Sequence, residues 1–142
     1  MQTKNKTSPS RTSRGGGFLS PARGGRGQWP ERCLAAALTP AAALCRASRR
    51  DILDDEALRA VALRALKEAV AVANASGAGL SYPAASQAAL SHCRRPGAKR
   101  KATLREAGRS LDSLLSAART NRVPVPFLSR LARLIRRLEA AA

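Results

Sequence analysis

The residue types that carry most enzyme chemistry are scarce in this chain. It has one histidine, His92, next to Cys93, and two further cysteines at Cys33 and Cys45. A Cys–His dyad or a metal centre needs a carboxylate, a second imidazole or another thiol at ligand spacing, and none flanks this pair. His92 and Cys93 are therefore expected to be incidental, with no metal ligated. Three cysteines without a Cys-x-x-Cys pair give neither a zinc ribbon nor a paired disulfide scaffold, which suits a reducing compartment.

Basic residues are abundant instead. The chain of 142 residues holds 26 Lys and Arg against 9 acids, a formal net charge of +17. From Arg94 to Arg137 there are thirteen basic residues against only Glu106 and Asp112, and the densest run is Arg94-Arg95-Pro96-Gly97-Ala98-Lys99-Arg100-Lys101. Such a field attracts phosphate polymers, with an affinity that falls steeply as salt rises. No aromatic lies between residues 83 and 126 to stack on bases, and no helix-turn-helix pattern stands out. A solvated basic face is the plainer expectation. A module that binds nucleic acid or an acidic partner is the alternative.

The elements that must position these groups read as helices. Thirty Ala and eighteen Leu stand beside five Val, two Ile and 3% aromatic residues, a composition that builds helices and starves strands. The length allows one domain with a real core. Residues 1–28 differ from the rest: they are basic, acid-free and rich in Gly, with Gly15-Gly16-Gly17 and Gly24-Gly25. They are expected to be a disordered leader, and their Arg- and Ser-rich character also suits an organellar transit peptide. The protein would then be organellar, and otherwise cytoplasmic. Residues 29–142 form the expected domain. Its longest apolar run, Cys33 to Cys45, is interrupted by Thr39-Pro40 and is too short to cross a bilayer.

Within that domain Trp29–Leu38 and Pro40–Ser48 read as two short helices, with Thr39 as N-cap and Pro40 at the first position of the second. Asp51, Asp54, Asp55 and Glu56 suit the positive end of the following helix. That helix runs to about Ser76, with Gly77 at its C-terminus, Leu58, Val61, Ala65, Ala69 and Val72 on one face, and Ala62, Leu66, Val70 and Ala73 widening the stripe. Residues 77–101 read as broken by Gly77, Gly79, Pro83, Pro96 and Gly97. Helix returns near Ala102, with Leu104, Ala107, Leu111, Leu114, Leu115 and Ala118 on one face. Val123-Pro124-Val125-Pro126 must be extended. A last helix, Phe127–Ala140, would turn Leu128, Leu131, Leu134, Ile135 and Leu138 inward. The expected fold is an all-α bundle of about five helices.

Three stretches in this order resemble the C-terminal helical domain of the ketopantoate reductase (2-dehydropantoate 2-reductase) family. They are Ala37-Leu38-Thr39-Pro40-Ala41-Ala42-Ala43-Leu44 with Asp51-Ile52-Leu53-Asp54-Asp55, then Glu68 to Gly77, and finally Arg122-Val123-Pro124-Val125-Pro126 with the helix after it. The resemblance spans about residues 29–139. It implies an all-α domain from an oxidoreductase that reduces 2-dehydropantoate to pantoate with NADPH, in pantothenate biosynthesis. The family binds NADP(H) on a separate Rossmann half. Neither glycine run here follows an apolar strand, so no cofactor-binding residue is expected on this chain. A Rossmann-domain partner or a homodimer is implied as the assembly.

The resemblance also places the family's site residues. Its catalytic lysine falls at Glu31, its first asparagine at Ala35 and its second at Thr39, so no catalytic residue is expected and Thr39 is a candidate substrate contact. The family's lysine protonates the alkoxide formed as hydride arrives. A carboxylate side chain there would instead repel the substrate's own carboxylate. Counting back from Val123-Pro124 without a gap puts Glu106 at the family's substrate-binding glutamate. A second register, shorter by one helical turn, aligns Gly108-Arg109 and puts Asp112 at the nearby aspartate. Glu106 would otherwise pair with Arg105, Arg109 or Lys101 on the surface. The family's upstream serine falls at Arg94, with Ser91 three residues away. The implied protein is a catalytically silent domain.

Overall fold

The computed structural model describes residues 28–142, so the leader, its glycine runs and the transit reading lie outside the described residues. Six α-helices are present among them: α1 (Trp29–Leu44), α2 (Arg49–Asp54), α3 (Glu56–Ala75), α4 (Tyr82–Cys93), α5 (Leu104–Thr120) and α6 (Pro126–Ala141). A 3-10 turn, Pro96–Lys99, follows α4. The expected all-α class holds, while the division into helices differs in three places.

The first difference is at Pro40, which does not start a helix but sits inside α1. Proline has no N–H, so the Ala36 carbonyl loses the partner a helix interior normally supplies. Packing overrides that loss. Cys33, Leu34 and every residue from Ala36 to Ala43 are buried, so α1 is enclosed on most sides. Its alanines let α3 and α5, its main neighbours, approach closely. Thr39 is consequently an internal, buried residue and not an N-cap.

The second difference is that α2 is a helix of its own. Ser48 and Asp51 form a reciprocal capping box: the Ser48 N–H donates to Asp51 Oδ2 at 2.8 Å, and the Asp51 N–H donates to Ser48 Oγ at 3.3 Å. Asp55 then caps α3 through the Leu58 N–H at 3.1 Å. The acidic cluster thus serves two helix starts where one was expected.

The third is α4, in the stretch expected to be broken. Ser81 accepts from the Ala84 N–H at 3.3 Å, and Pro83 lies in the first turn, where a missing N–H costs nothing. The turn before it is held by Asn74, whose Oδ1 accepts from the Leu80 N–H at 2.6 Å while its Nδ2 donates to the Leu80 carbonyl at 3.0 Å.

Elsewhere the expected faces are the observed ones, except that Val61 of α3 and Leu104 of α5 are only half-buried. Ala62, Ala65, Leu66, Ala69 and Val72 of α3 and Ala107, Leu111, Leu114, Leu115 and Ala118 of α5 are buried. On α6 the buried set is Leu128, Leu131, Ala132 and Ile135. Leu134 and Leu138 are 46% and 43% exposed, a correction to the inward stripe expected from spacing alone. The stripe needed is only about one side of the helix wide, because α6 packs chiefly on α5 with a smaller contact to α3.

Three helices end in the same hydrogen-bonded motif. After α3, Gly77 has φ +91°, and the Ala78 N–H reaches back to the Ala73 carbonyl at 3.0 Å. After α1 and α5 the equivalent left-handed positions are Arg46 (φ 52°) and Arg122 (φ 56°), with return bonds from Ala47 to Ala42 and from Val123 to Ala118.

Candidate functional site

The positions that could do chemistry lie along one side of α1. Glu31, Ala35 and Thr39 are spaced by four and so share a face. Glu31 and Ala35, with Leu34 and Leu38, line a small cavity of about 110 Å³ whose other walls are Arg49, His92 and Arg95. Thr39 is tied to this group, since its hydroxyl accepts from Arg49 Nη2 at 3.1 Å.

Three elements build the cavity. Arg49 is the first residue of α2, so the Ser48–Asp51 capping box fixes its backbone. His92 is in the last turn of α4, and Arg95 follows in the turn that leads to Pro96. Arg50 Nη1 donates to the Arg94 carbonyl at 2.9 Å and so fastens α2 to the end of α4. An antiparallel bridge between Ser48 and Lys101 closes the same corner.

The electrostatics of this corner are lopsided. Burial holds His92 below the ordinary histidine range, and the charges of Arg49 and Arg95 push it the same way. Two buried nitrogens, Arg49 Nε and His92 Nδ1, have no hydrogen-bond partner among the described residues. Neither Arg49 nor Arg95 forms an ion pair with a described carboxylate. Cys93, beside His92, is buried, and burial pushes its thiol up to about 11. Cys33 is likewise pushed up to about 12, while Cys45 is exposed.

Glu106 stands apart from this cavity. It is the third residue of α5, where one of its oxygens accepts from the Thr103 N–H at 2.9 Å while the Glu106 N–H donates to Thr103 Oγ1 at 3.1 Å. Arg100 Nη2 pairs with the other oxygen at 2.9 Å. The Thr103 amide and the Arg100 guanidinium together hold its carboxyl down at about 2. The surface partner is thus Arg100, not Arg105, Arg109 or Lys101. Of the alternatives from the second register, Asp112 is exposed and lies 3.6 Å from Arg136, and a Cβ at Gly108 would sit 3.2 Å from the Glu139 carboxylate. Ser91 and Arg94 are exposed near the end of α4.

Sequence spacing missed Arg49 and Arg95 and set His92 aside. Arg49 lies far from the other two in the chain and meets them only through the packing of α2 on α4. The one available signal was the lone histidine within a basic run.

The remaining basic residues are spread over α5 and α6. Arg119, Arg122, Arg133 and Arg136 line an open groove of about 530 Å³ with Val123 and Pro124 at its base. Arg130, Arg133 and Arg137 surround Leu134 on the outer side of α6. No helix among the described residues is long and apolar enough to cross a membrane, and no metal-ligand cluster occurs among them.

A Rossmann-type dinucleotide cradle is a strand that runs through a glycine turn into a helix. The described residues contain no strand, only the single Ser48–Lys101 bridge, so that cradle is not among them.

Residues 26–139 match the family model described as ketopantoate reductase PanE/ApbA C terminal. Neither the curated proteins nor the solved structures give a match.

Proposed function

Since the chain belongs to the ketopantoate reductase C-terminal domain family, we propose that it is the helical half of a reductase of this kind, silent when it stands by itself. The family reaction is the NADPH-dependent reduction of 2-dehydropantoate to pantoate. Hydride delivered to the carbonyl carbon leaves an alkoxide, which must take a proton from a positioned acid. The observation that carries the reading is Glu31, exposed in the first turn of α1, at the position where the resemblance puts the family's lysine. An acidic side chain there opposes an anionic substrate, and Ala35 has no polar group to orient one. Thr39 keeps a hydroxyl, but Arg49 uses it. Glu106 as a substrate contact would have to leave both Arg100 and the Thr103 amide.

On this reading NADP(H) comes with a Rossmann half, either in a partner or in a longer chain, and a homodimer is an alternative assembly. We place the domain in the cytoplasm, or in an organelle if residues 1–28 act as a transit peptide. The test is NADPH oxidation and NADPH binding with the purified chain and 2-dehydropantoate. Neither is expected. Turnover by the chain alone would overturn the silent reading.

A second reading is favoured by the groove between α5 and α6, where four arginines converge and Arg136 lies 3.6 Å from Asp112. It is a basic interaction module for nucleic acid or an acidic partner. Retention on heparin or RNA near physiological salt would support it, and elution at low salt would remove it.

A further inference from the structure

The groove between α5 and α6 lies at the far end of α5 from Glu106. Arg119 stands thirteen residues further along that helix, about 20 Å by its rise. Arg119 and Arg122 enter the groove from the end of α5 and Arg133 and Arg136 from α6, with Val123 and Pro124 at the base. Arg119, Arg122 and Arg133 form no ion pair with a described carboxylate. Arg136 and Asp112, 3.6 Å apart, are both well exposed, so their attraction is weak. Arg122 also sits at φ 56°, a left-handed position that glycine occupies at less cost. The fold thus carries local backbone strain at a residue that puts a cation on the groove wall.

We propose that this groove binds an acidic peptide segment of another protein, with its carboxylates on the arginines and an intervening apolar side chain on Val123 and Pro124. The proposal rests on the second reading above, that the groove is an interaction surface, and names its partner. Charge narrows the choice of occupant. Of the nine acidic residues, Asp51, Asp55, Glu68 and Glu106 accept from helix-start amides, and none of the nine lines the groove. Residues 1–28 carry no acid at all. A second copy is a poor occupant, because its one acidic cluster, Asp51 to Glu56, is flanked by Arg49, Arg50 and Arg59, and each copy carries +17. A phosphate polymer is also drawn to arginine, but it has no use for an apolar base. The rings that could stack its bases are engaged elsewhere among the described residues. Arg32 lies 3.9 Å over Trp29, Arg64 lies 4.8 Å over Phe127, and the Tyr82 hydroxyl donates to the Leu63 carbonyl. A peptide uses both features, since guanidinium forks pair with carboxylates and the exposed Pro124 offers apolar surface between them.

The probes are a fluorescent peptide of four Glu-Glu-Leu repeats, the same peptide with serine for leucine, and a twelve-nucleotide oligouridylate. Each is titrated with the full chain at about 0.15 M salt and read by anisotropy. Saturable binding of the leucine peptide is expected, tighter than that of the serine peptide or the oligouridylate. Arg133→Gln and Arg122→Gly should each weaken it roughly tenfold. The glycine variant is the sharper of the two. Glycine should stabilise the fold at that position, so a loss of affinity there cannot come from unfolding. Arg130→Gln, on the outer side of α6, also removes one charge and should bind as the parent does. Equal affinity for the leucine and serine peptides would overturn the proposal, and so would equal weakening by Arg130→Gln and Arg122→Gly. Oligouridylate binding tighter than the peptide would overturn it and leave the second reading standing, whereas no binding of any probe would remove both. A dimer mass by light scattering that Arg122→Gly returns to a monomer would put a second copy in the groove instead.

Discussion

Glu68 of α3 caps a helix it does not belong to. Its Oε2 accepts from the Phe127 N–H at 3.0 Å and its Oε1 from the Leu128 N–H at 2.8 Å, the first two N–H groups of α6, which begins with Pro126. The α6 N-cap position is Val125, whose side chain cannot accept a hydrogen bond. Two of the three stretches that carry the family resemblance meet at this point: the helix containing Glu68 and the Val-Pro-Val-Pro segment.

Replacing Glu68 should therefore loosen α6 at a distance. Glu68→Ala leaves two helix-start amides without their acceptor and should cost about 1–2 kcal/mol, with Glu68→Gln costing less. Urea denaturation midpoints check the order. Equal stability for the alanine variant would show that solvent satisfies those amides as well as the carboxylate does.

The faces of α5 and α6 can be separated by truncation. Leu114 is fully buried, and Leu114→Ala should cost about 2–5 kcal/mol. Leu134, nearly half exposed, should tolerate the same change within about 0.5 kcal/mol. Similar losses for both would restore the wider apolar stripe that spacing suggested.

The left-handed helix ends offer an opposite pair of effects. Arg122 has φ 56°, a region that costs a side-chain-bearing residue about 1–2 kcal/mol, so Arg122→Gly should stabilise by roughly 0.5–1 kcal/mol after the entropy of glycine is counted. Gly77→Ala should destabilise by about 1 kcal/mol, although nothing lies within 4 Å of the added methyl. Thermal unfolding of the two variants beside the parent measures both signs.

Acid should act through Glu106. Its folded-state pKa, about 2, lies below the ordinary carboxylate value of 4.5, so its contribution is complete above about pH 4.5 and fades as pH falls toward 2. Glu106→Gln should flatten that part of the stability profile and leave the region above pH 5 nearly level. The Glu106 side chain is 39% exposed and its partner Arg100 61%, so solvent screens the pair, the change should be small, and high salt should shrink the part due to Arg100. Stability that rises between pH 4.5 and 2 would contradict the sign.

The sequence was most legible where packing and periodicity agree. In α3 and α5 the apolar residues step by three and four, and the same residues are buried, apart from the half-buried Val61 and Leu104 near the helix starts. It was least legible in α4, whose alanines mark no strong stripe and whose Pro83 looks like a breaker until the first-turn position is known. Pro40 misled for the converse reason, since its enclosure by α3 and α5 outweighs a local rule. Leu134 and Leu138 follow the spacing of an inward stripe but stay nearly half exposed. The positions at which the resemblance puts the family's site residues, Glu31, Ala35 and Thr39, follow from counting along one helix, whereas Arg49 joins His92 and Arg95 only through tertiary packing.

The enclosure of α1 also bears on how the chain emerges during synthesis. One flank of this helix is covered by α3, but the other is covered by α5, whose last residue is Thr120. Until that stretch leaves the ribosome, the most apolar helix of the domain has one side open to water and to other nascent chains. Its protection at that stage must come from a chaperone or from the speed of translation, because the domain's own later helix cannot yet provide it.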